Sequence, residues 1–174
     1  MKVRFDEISV EGTRLTITDA AWFPDYELER RGKVAAAVFL RRAGKRVFLE
    51  GTLSATVLLI CDRCLESYAR SLGDDFRVEF ELADGDGSAP LTGEHEIEAE
   101  EMDTIFLDEA AIDLFDVLRQ QVFMALPDKL LCGDDCQGLC SSCGTNLNKG
   151  KCRCGTKGKE SPFSVLAGLM NIKE

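Results

Sequence analysis

Arg46-Val47-Phe48-Leu49-Glu50-Gly51-Thr52-Leu53-Ser54-Ala55-Thr56-Val57-Leu58-Leu59-Ile60 decides the fold class, because apolar residues recur in it at every second position. Val47, Leu49, Leu53, Ala55, Val57 and Leu59 share one face, and Glu50, Thr52, Ser54 and Thr56 share the other. A period of two belongs to a half-buried strand, since successive side chains leave opposite faces of a sheet. Gly51 interrupts the apolar set and marks a bulge or bend. Upstream, Val34 to Leu40 is apolar, and Arg41-Arg42-Ala43-Gly44-Lys45 reads as the loop between the two stretches. Downstream, Phe76, Val78, Phe80 and Leu82 alternate with Arg77, Glu79 and Glu81, a further strand. Val3–Phe5, Leu15–Ile17 and Thr104–Leu107 are shorter candidates. Asp113 with Asp116 supplies a helix start, and Leu114, Val117, Leu118, Val122 and Ala125 recur at helical spacing until Pro127. Phe115, Phe123 and Leu126 widen that apolar stripe, which is read as core rather than as a partner groove.

The expected fold is therefore α+β: an antiparallel β-sheet or open barrel with a packed helix, plus a small C-terminal zinc-knuckle segment. Residues 1–128 form the β-rich core domain, with an acidic loop at about 83–103 and a helix at about 113–126. Residues 129–156 form the cysteine-rich knuckle, and 157–174 a basic linker with a short amphipathic helix. Pro162-Phe163 opens that last segment, with Pro at a plausible first helical position.

The net charge of -10 over 174 residues is uneven. Residues 74–128 hold 2 Lys/Arg against 17 Asp/Glu, whereas 129–174 hold 7 against 4. A strongly acidic middle repels phosphate, which argues against sequence-independent nucleic-acid binding by the chain as a whole. Glu94, Glu96, Glu98, Glu100 and Glu101 cluster in the acidic loop around the single histidine, His95, which is assigned no role. Lys149, Lys151, Arg153, Lys157 and Lys159 form a basic run around the last cysteines, read as charge compensation for thiolates and as a candidate rRNA contact. With no signal peptide and no long apolar run, the chain reads as cytoplasmic, without a membrane role.

Six of the eight cysteines lie in one short run: Cys132, Cys136, Cys140, Cys143, Cys152 and Cys154. Thiolates two to four residues apart converge on one soft cation, and Cys143-Gly144 allows the tight turn that aims backbone N–H groups at sulfur. Four of the six are expected to hold a structural zinc. Cys140 and Cys143 come first, then Cys132 and Cys136, although the span from Cys143 to Cys152 also suits a hairpin between two ligand pairs. A tetrathiolate ion is saturated and leaves no position for an activated water. An iron–sulfur cluster also takes four cysteines, and a disulfide framework suits secreted domains rather than this chain. Cys61 and Cys64 end the long strand and are read first as structural thiols, next as half of a second zinc site, and last as a redox pair, which wants a helix N-terminus.

Cys61-Asp62-Arg63-Cys64-Leu65-Glu66, Ile112-Asp113-Leu114, Ala125-Leu126-Pro127 and Leu131-Cys132 resemble the YceD family, the large ribosomal RNA subunit accumulation proteins. The closest correspondence is Cys136-Gln137-Gly138-Leu139-Cys140-Ser141-Ser142-Cys143-Gly144-Thr145-Asn146-Leu147-Asn148. The resemblance spans roughly residues 45 to 170. It implies a cytoplasmic bacterial or organellar protein that supports accumulation of 23S rRNA, and it carries over no catalytic residue. The chain itself offers no Ser-His-Asp set, phosphate-cradling glycine loop or paired histidines. Action by binding follows, with a basic ribosomal protein, 23S rRNA or a pre-large-subunit particle as partner and no small-molecule substrate identified. A basic protein held by the acidic segment is the favoured form. The alternatives are a zinc-dependent or thiol-active enzyme and a general zinc-stabilised interaction module.

Overall fold

The structure is a computed structural model that describes residues 1–83 and 104–154. The chain divides into two compact units, residues 1–59 with 67–130 and residues 60–66 with 131–174.

The first unit is mostly sheet with one helix. Its strands are β1 (Lys2–Arg4), β2 (Thr13–Ile17), β3 (Glu29–Arg30), β4 (Ala35–Ala43), β5 (Arg46–Ile60), β6 (Ser67–Leu82), β7 (Thr104–Leu107) and β8 (Ala111–Asp113), with β5 crossing the unit boundary at its last residue. The helix is α1 (Leu114–Met124). An open six-stranded sheet runs β2-β4-β5-β6-β7, with β3 also paired to β5, and β1 and β8 form a separate ribbon. β7 lies parallel to β6, so the expectation of a purely antiparallel sheet is corrected at that edge. The β6–β7 connection passes through residues 84–103; the acidic loop expected there lies outside the described residues, as does the expected C-terminal amphipathic segment.

Local chemistry explains the central hairpin. β4 and β5 pair without interruption from Ala35↔Ser54 to Ala43↔Arg46, so Arg41 to Ala43 belong to the strand and only Gly44-Lys45 turns. Gly44 has φ +64°, the conformation that the first position of a two-residue hairpin turn favours. That continuous ladder also corrects the bulge expected at Gly51. Gly51 sits opposite Val38 on the core face, and a Cβ there would meet the Phe76 ring at 2.4 Å, so glycine leaves the space this aromatic ring fills. Gly51→Ala is expected to cost about 1–3 kcal/mol through overpacking. Gly73→Ala, whose Cβ would meet nothing closer than the Leu53 carbonyl at 4.0 Å, is the control. Urea denaturation of both variants checks the contrast.

The core joins Val38, Leu40, Val47, Leu49, Val57 and Phe80 of the sheet with Leu114, Leu118 and Val122 of α1, and closes over Trp22 and Phe23. Asp113 caps α1 by accepting from the Phe115 amide at 3.1 Å. Phe115 and Leu126 pack against the core, but Phe123 is 40% exposed, which corrects its place in the expected core stripe. On the opposite sheet face Arg77 pairs with Glu50 at 2.7 Å, and Arg46 holds both Glu79 (3.0 Å) and Glu81 (2.8 Å). Among the described residues no helix is long and apolar enough to cross a membrane.

Candidate metal centres

The second unit contains every cysteine of the chain, all eight thiols free. They fall into two groups of four, Cys61, Cys64, Cys132 and Cys136, and Cys140, Cys143, Cys152 and Cys154, with the sulfurs of each group within 4.8 Å of one another. Four of the six C-terminal cysteines, Cys140, Cys143, Cys152 and Cys154, do stand together, in the hairpin arrangement between two pairs rather than with Cys132 and Cys136. Cys132 and Cys136 stand with the distant pair Cys61 and Cys64, which are not isolated strand-end thiols.

Each group is seated on a turn of the same construction. In residues 61–66 the Cys61 amide donates to the Glu66 carbonyl at 2.9 Å, and the Leu65 amide donates to the Cys61 carbonyl at 2.9 Å. In residues 140–145 the Cys140 amide donates to the Thr145 carbonyl at 2.8 Å, and the Gly144 amide to the Cys140 carbonyl at 2.9 Å. The fifth residue of each turn is left-handed, Leu65 at φ +59° and Gly144 at φ +73°. Glycine adopts this conformation freely, whereas it costs an L side chain about 1–2 kcal/mol. The chain thus holds the same knuckle twice, and Leu65 in the glycine position hides the first copy from a motif reading.

In the first group Cys61, Cys64 and Cys136 are buried and Cys132 is exposed. Cys61 and Cys136 sulfurs are 3.7 Å apart, and those of Cys64 and Cys132 are 3.6 Å apart. Sulfurs placed tetrahedrally about one ion with arms of about 2.3 Å are separated by roughly 3.8 Å, so the donor set fits a single tetrahedral cation. Arg63 donates to the Cys136 carbonyl at 2.9 Å, and the Leu139 amide donates to the Arg63 carbonyl at 3.1 Å. Gly138, at φ +71°, lies where a Cβ would stand 3.0 Å from that same Arg63 carbonyl. The second group is more open, with Cys143 and Cys154 exposed and Cys140 and Cys152 half-buried.

Each group combines thiols poised to ionise, Cys61 and Cys136 in the first and Cys143 in the second, with thiols held protonated, Cys64 and Cys132 in the first and Cys152 and Cys154 in the second. Burial pushes the Cys61 thiol up, but the backbone amides of Cys64, Cys132 and Arg63 together bring it down to about 6. Hydrogen bonds from the neighbouring sulfurs, first that of Cys136, push Cys132 up to about 12. Cys143 is lowered to about 6, chiefly by the Thr145 hydroxyl 3.1 Å away, and Cys154 is pushed up to about 12, chiefly by Cys143. Four adjacent thiolates repel one another, and a cation is what lets all four ionise together. Binding a metal therefore displaces protons from the raised thiols, so affinity must rise with pH and fall as pH is lowered. Chelator competition at about pH 6, 7 and 8 is expected to show up to about tenfold change per unit for each proton displaced.

Of the basic run, Lys149 forms an ion pair with Glu66 at 2.6 Å, and that contact, followed by the Asn146 amide, lowers the Glu66 carboxyl. Lys151 and Arg153 are exposed. Lys157 and Lys159 lie outside the described residues, as do Glu94, Glu96, Glu98, Glu100, Glu101 and His95. Asn148, the last residue of the 136–148 stretch and not itself expected to serve the site, donates from Nδ2 to the Cys136 sulfur at 3.3 Å. In the first unit two concavities of about 680 and 910 Å³ share Phe39, Glu50 and Arg77, and their central charges pair with each other at 2.7 Å.

The family pattern described as large ribosomal RNA subunit accumulation protein YceD matches residues 49–170. The chain is similar to the chloroplastic large ribosomal RNA subunit accumulation protein YCED homolog 1 of Arabidopsis thaliana, 27% identical over 179 residues covering 92% of this chain and 54% of the relative. It is also similar to the protein of the same description from Zea mays, 26% identical over 159 residues covering 80% of this chain and 54% of the relative. The chain thus spans about half the length of the curated relatives it matches. No solved structure matches it.

Proposed function

Because the chain belongs to the YceD family of large ribosomal RNA subunit accumulation proteins, we propose that it is a non-enzymatic binding factor supporting 23S rRNA accumulation and large-subunit biogenesis. Both thiol groups hold zinc as structural ions in this reading. The observation that carries it is the donor set: all eight thiols fall into two complete fours. A zinc ion with four thiolates has no open position at which to activate water or polarise a substrate. The closeness of all four sulfurs in each group, within 4.8 Å of one another, supports a single ion, because a cluster spreads its cysteines over two or more irons. Free thiols and thiolate-bound zinc suit a reducing compartment such as the cytoplasm.

The partner we favour is a basic ribosomal protein. Arg46 and Arg77 neutralise Glu79, Glu81 and Glu50 within the first unit, so much of the sheet's negative charge is internally matched. Residues 84–103 contain eight acidic residues and no Lys or Arg, and there the negative charge has no basic neighbour in sequence. Opposite charge on a partner would be steered there and released as rRNA competes for it. The competing basic run is weakened as an RNA surface by Lys149, which is engaged by Glu66.

Affinity capture from lysate, with and without nuclease, tests the reading. Nuclease-resistant recovery of one basic ribosomal protein is expected, with loss of it when Glu94, Glu96, Glu98, Glu100 and Glu101 are changed to Gln. Recovery that disappears with nuclease, and that depends instead on Lys151, Arg153, Lys157 and Lys159, would overturn it in favour of direct rRNA binding. In that case the slope of log affinity against log salt should shrink by roughly 0.7–0.9 for each phosphate no longer neutralised.

A further inference from the structure

Residues 144–151 connect the two ligand pairs of the second thiol group, Cys140 with Cys143 and Cys152 with Cys154, so their path depends on that group. Thr145 meets Cys143 of that same group, yet Asn146, Asn148 and Lys149 reach the first group. Asn148 donates from Nδ2 to the Cys136 sulfur at 3.3 Å while its Oδ1 accepts from the Gln137 amide at 2.8 Å. A backbone N–H can only donate, so the Gln137 contact fixes the amide's orientation and aims its NH2 at sulfur. The Asn148 amide donates to Asn146 Oδ1 at 3.0 Å. Asn146 Nδ2 then donates to Glu66 Oε1 at 3.3 Å, where Lys149 Nζ arrives at 2.6 Å. Glu66 closes the first knuckle through its carbonyl. The loop of one site is thereby tied to the other at two points, a ligating sulfur and the closing residue of its turn.

We infer that the two thiol groups load metal as one cooperative unit, with Asn148 as the positioning residue that transmits the coupling. This rests on the reading that both groups hold metal. Binding at Cys140, Cys143, Cys152 and Cys154 fixes the intervening loop, so Asn146, Asn148 and Lys149 are already ordered when the first site fills. The N–H···S bond draws charge from the Cys136 thiolate and orients it, the role that outer groups play around metal ligands. Coupling of this kind is reciprocal, so the first site strengthens the second by the same factor.

The test uses the full chain, with Zn2+ affinities from chelator competition and 113Cd2+ NMR to resolve the two sites. Removing the second site by Cys140→Ser with Cys143→Ser is expected to weaken the first at least about fivefold, within the usual range of coupling between sites. Asn148→Ala alone is expected to weaken the first site while both sites still fill, and to shift the thiolate-to-metal charge-transfer band of the Co2+-loaded first site. Asn148→Gln, which keeps an NH2 donor, should restore part of both effects. In the Cys140→Ser, Cys143→Ser background Asn148→Ala should add little, because the loop no longer holds its amide against sulfur. Should the double serine variant not fold, Asn148→Ala on the intact chain decides alone. Equal first-site affinity and an unshifted Co2+ band with Asn148→Ala would overturn the coupling while leaving two metal sites standing. Failure of the wild-type chain to bind more than one Cd2+ would instead remove the metal reading beneath it.

Discussion

Cys61→Ser is expected to remove one of the two proposed metal equivalents and leave the other. The residue is wholly buried, and its sulfur stands 3.7 Å from Cys136 in the first thiol group, whereas the second group draws all four ligands from residues 140–154. Structural zinc contributes on the order of 10 kcal/mol to zinc-finger folding, so removal of one ligand is among the largest single-residue effects open to this chain. Residues 61–66 and 131–136 should become accessible to limited proteolysis. The core of the first unit contains no cysteine, so its far-ultraviolet dichroism should persist. Cys143→Ser should give the complementary result, with metal kept at the first group. Elemental analysis that still finds two equivalents in Cys61→Ser protein would show that Cys61 is not a ligand.

Trp22→Ala is expected to cost about 3–5 kcal/mol, the usual range for deleting a large aromatic ring from a core. Trp22 is 0% exposed and lies edge-on to Phe23, with ring centroids 6.1 Å apart. Its Nε1 finds no hydrogen-bond partner among the described residues. A buried donor without a partner is itself unfavourable by about 1–3 kcal/mol, so Trp22→Phe should lose packing but shed that penalty. Urea denaturation followed by dichroism should therefore rank wild type and Trp22→Phe close together, with Trp22→Ala far below. Equal destabilisation by both substitutions would contradict this role for burial.

β5 is legible in sequence because one face is buried and the other solvated, so fifteen residues repeat one signal. β7 is legible as a strand, but its direction depends on the route of the connection through residues 84–103, which composition does not fix. Gly51 sends a real signal with the wrong cause. A glycine inside a strand announces missing volume, and only the fold shows that Phe76 supplies it. The second knuckle is readable from Cys-x-x-Cys-Gly, whereas the first wears Leu65 at the left-handed position and so resembles a plain strand end. The sequence does hold a clue: both turns share the spacing Cys-x-x-Cys with one residue more before the closing carbonyl. What no spacing contains is the meeting of Cys61 and Cys64 with Cys132 and Cys136, 68 and 75 residues apart along the chain. Asn148 closes the 136–148 stretch that marks the resemblance, but only the fold shows its side chain between the Gln137 amide and the Cys136 sulfur.

Native mass spectrometry of the full chain, purified under reducing conditions without chelator, reaches the central claim most directly. Two zinc ions per chain are expected, each bound with displacement of thiol protons and without iron–sulfur absorbance. A single ion, an iron–sulfur chromophore, or a metal-free chain with all eight thiols reactive would contradict two saturated tetrathiolate sites.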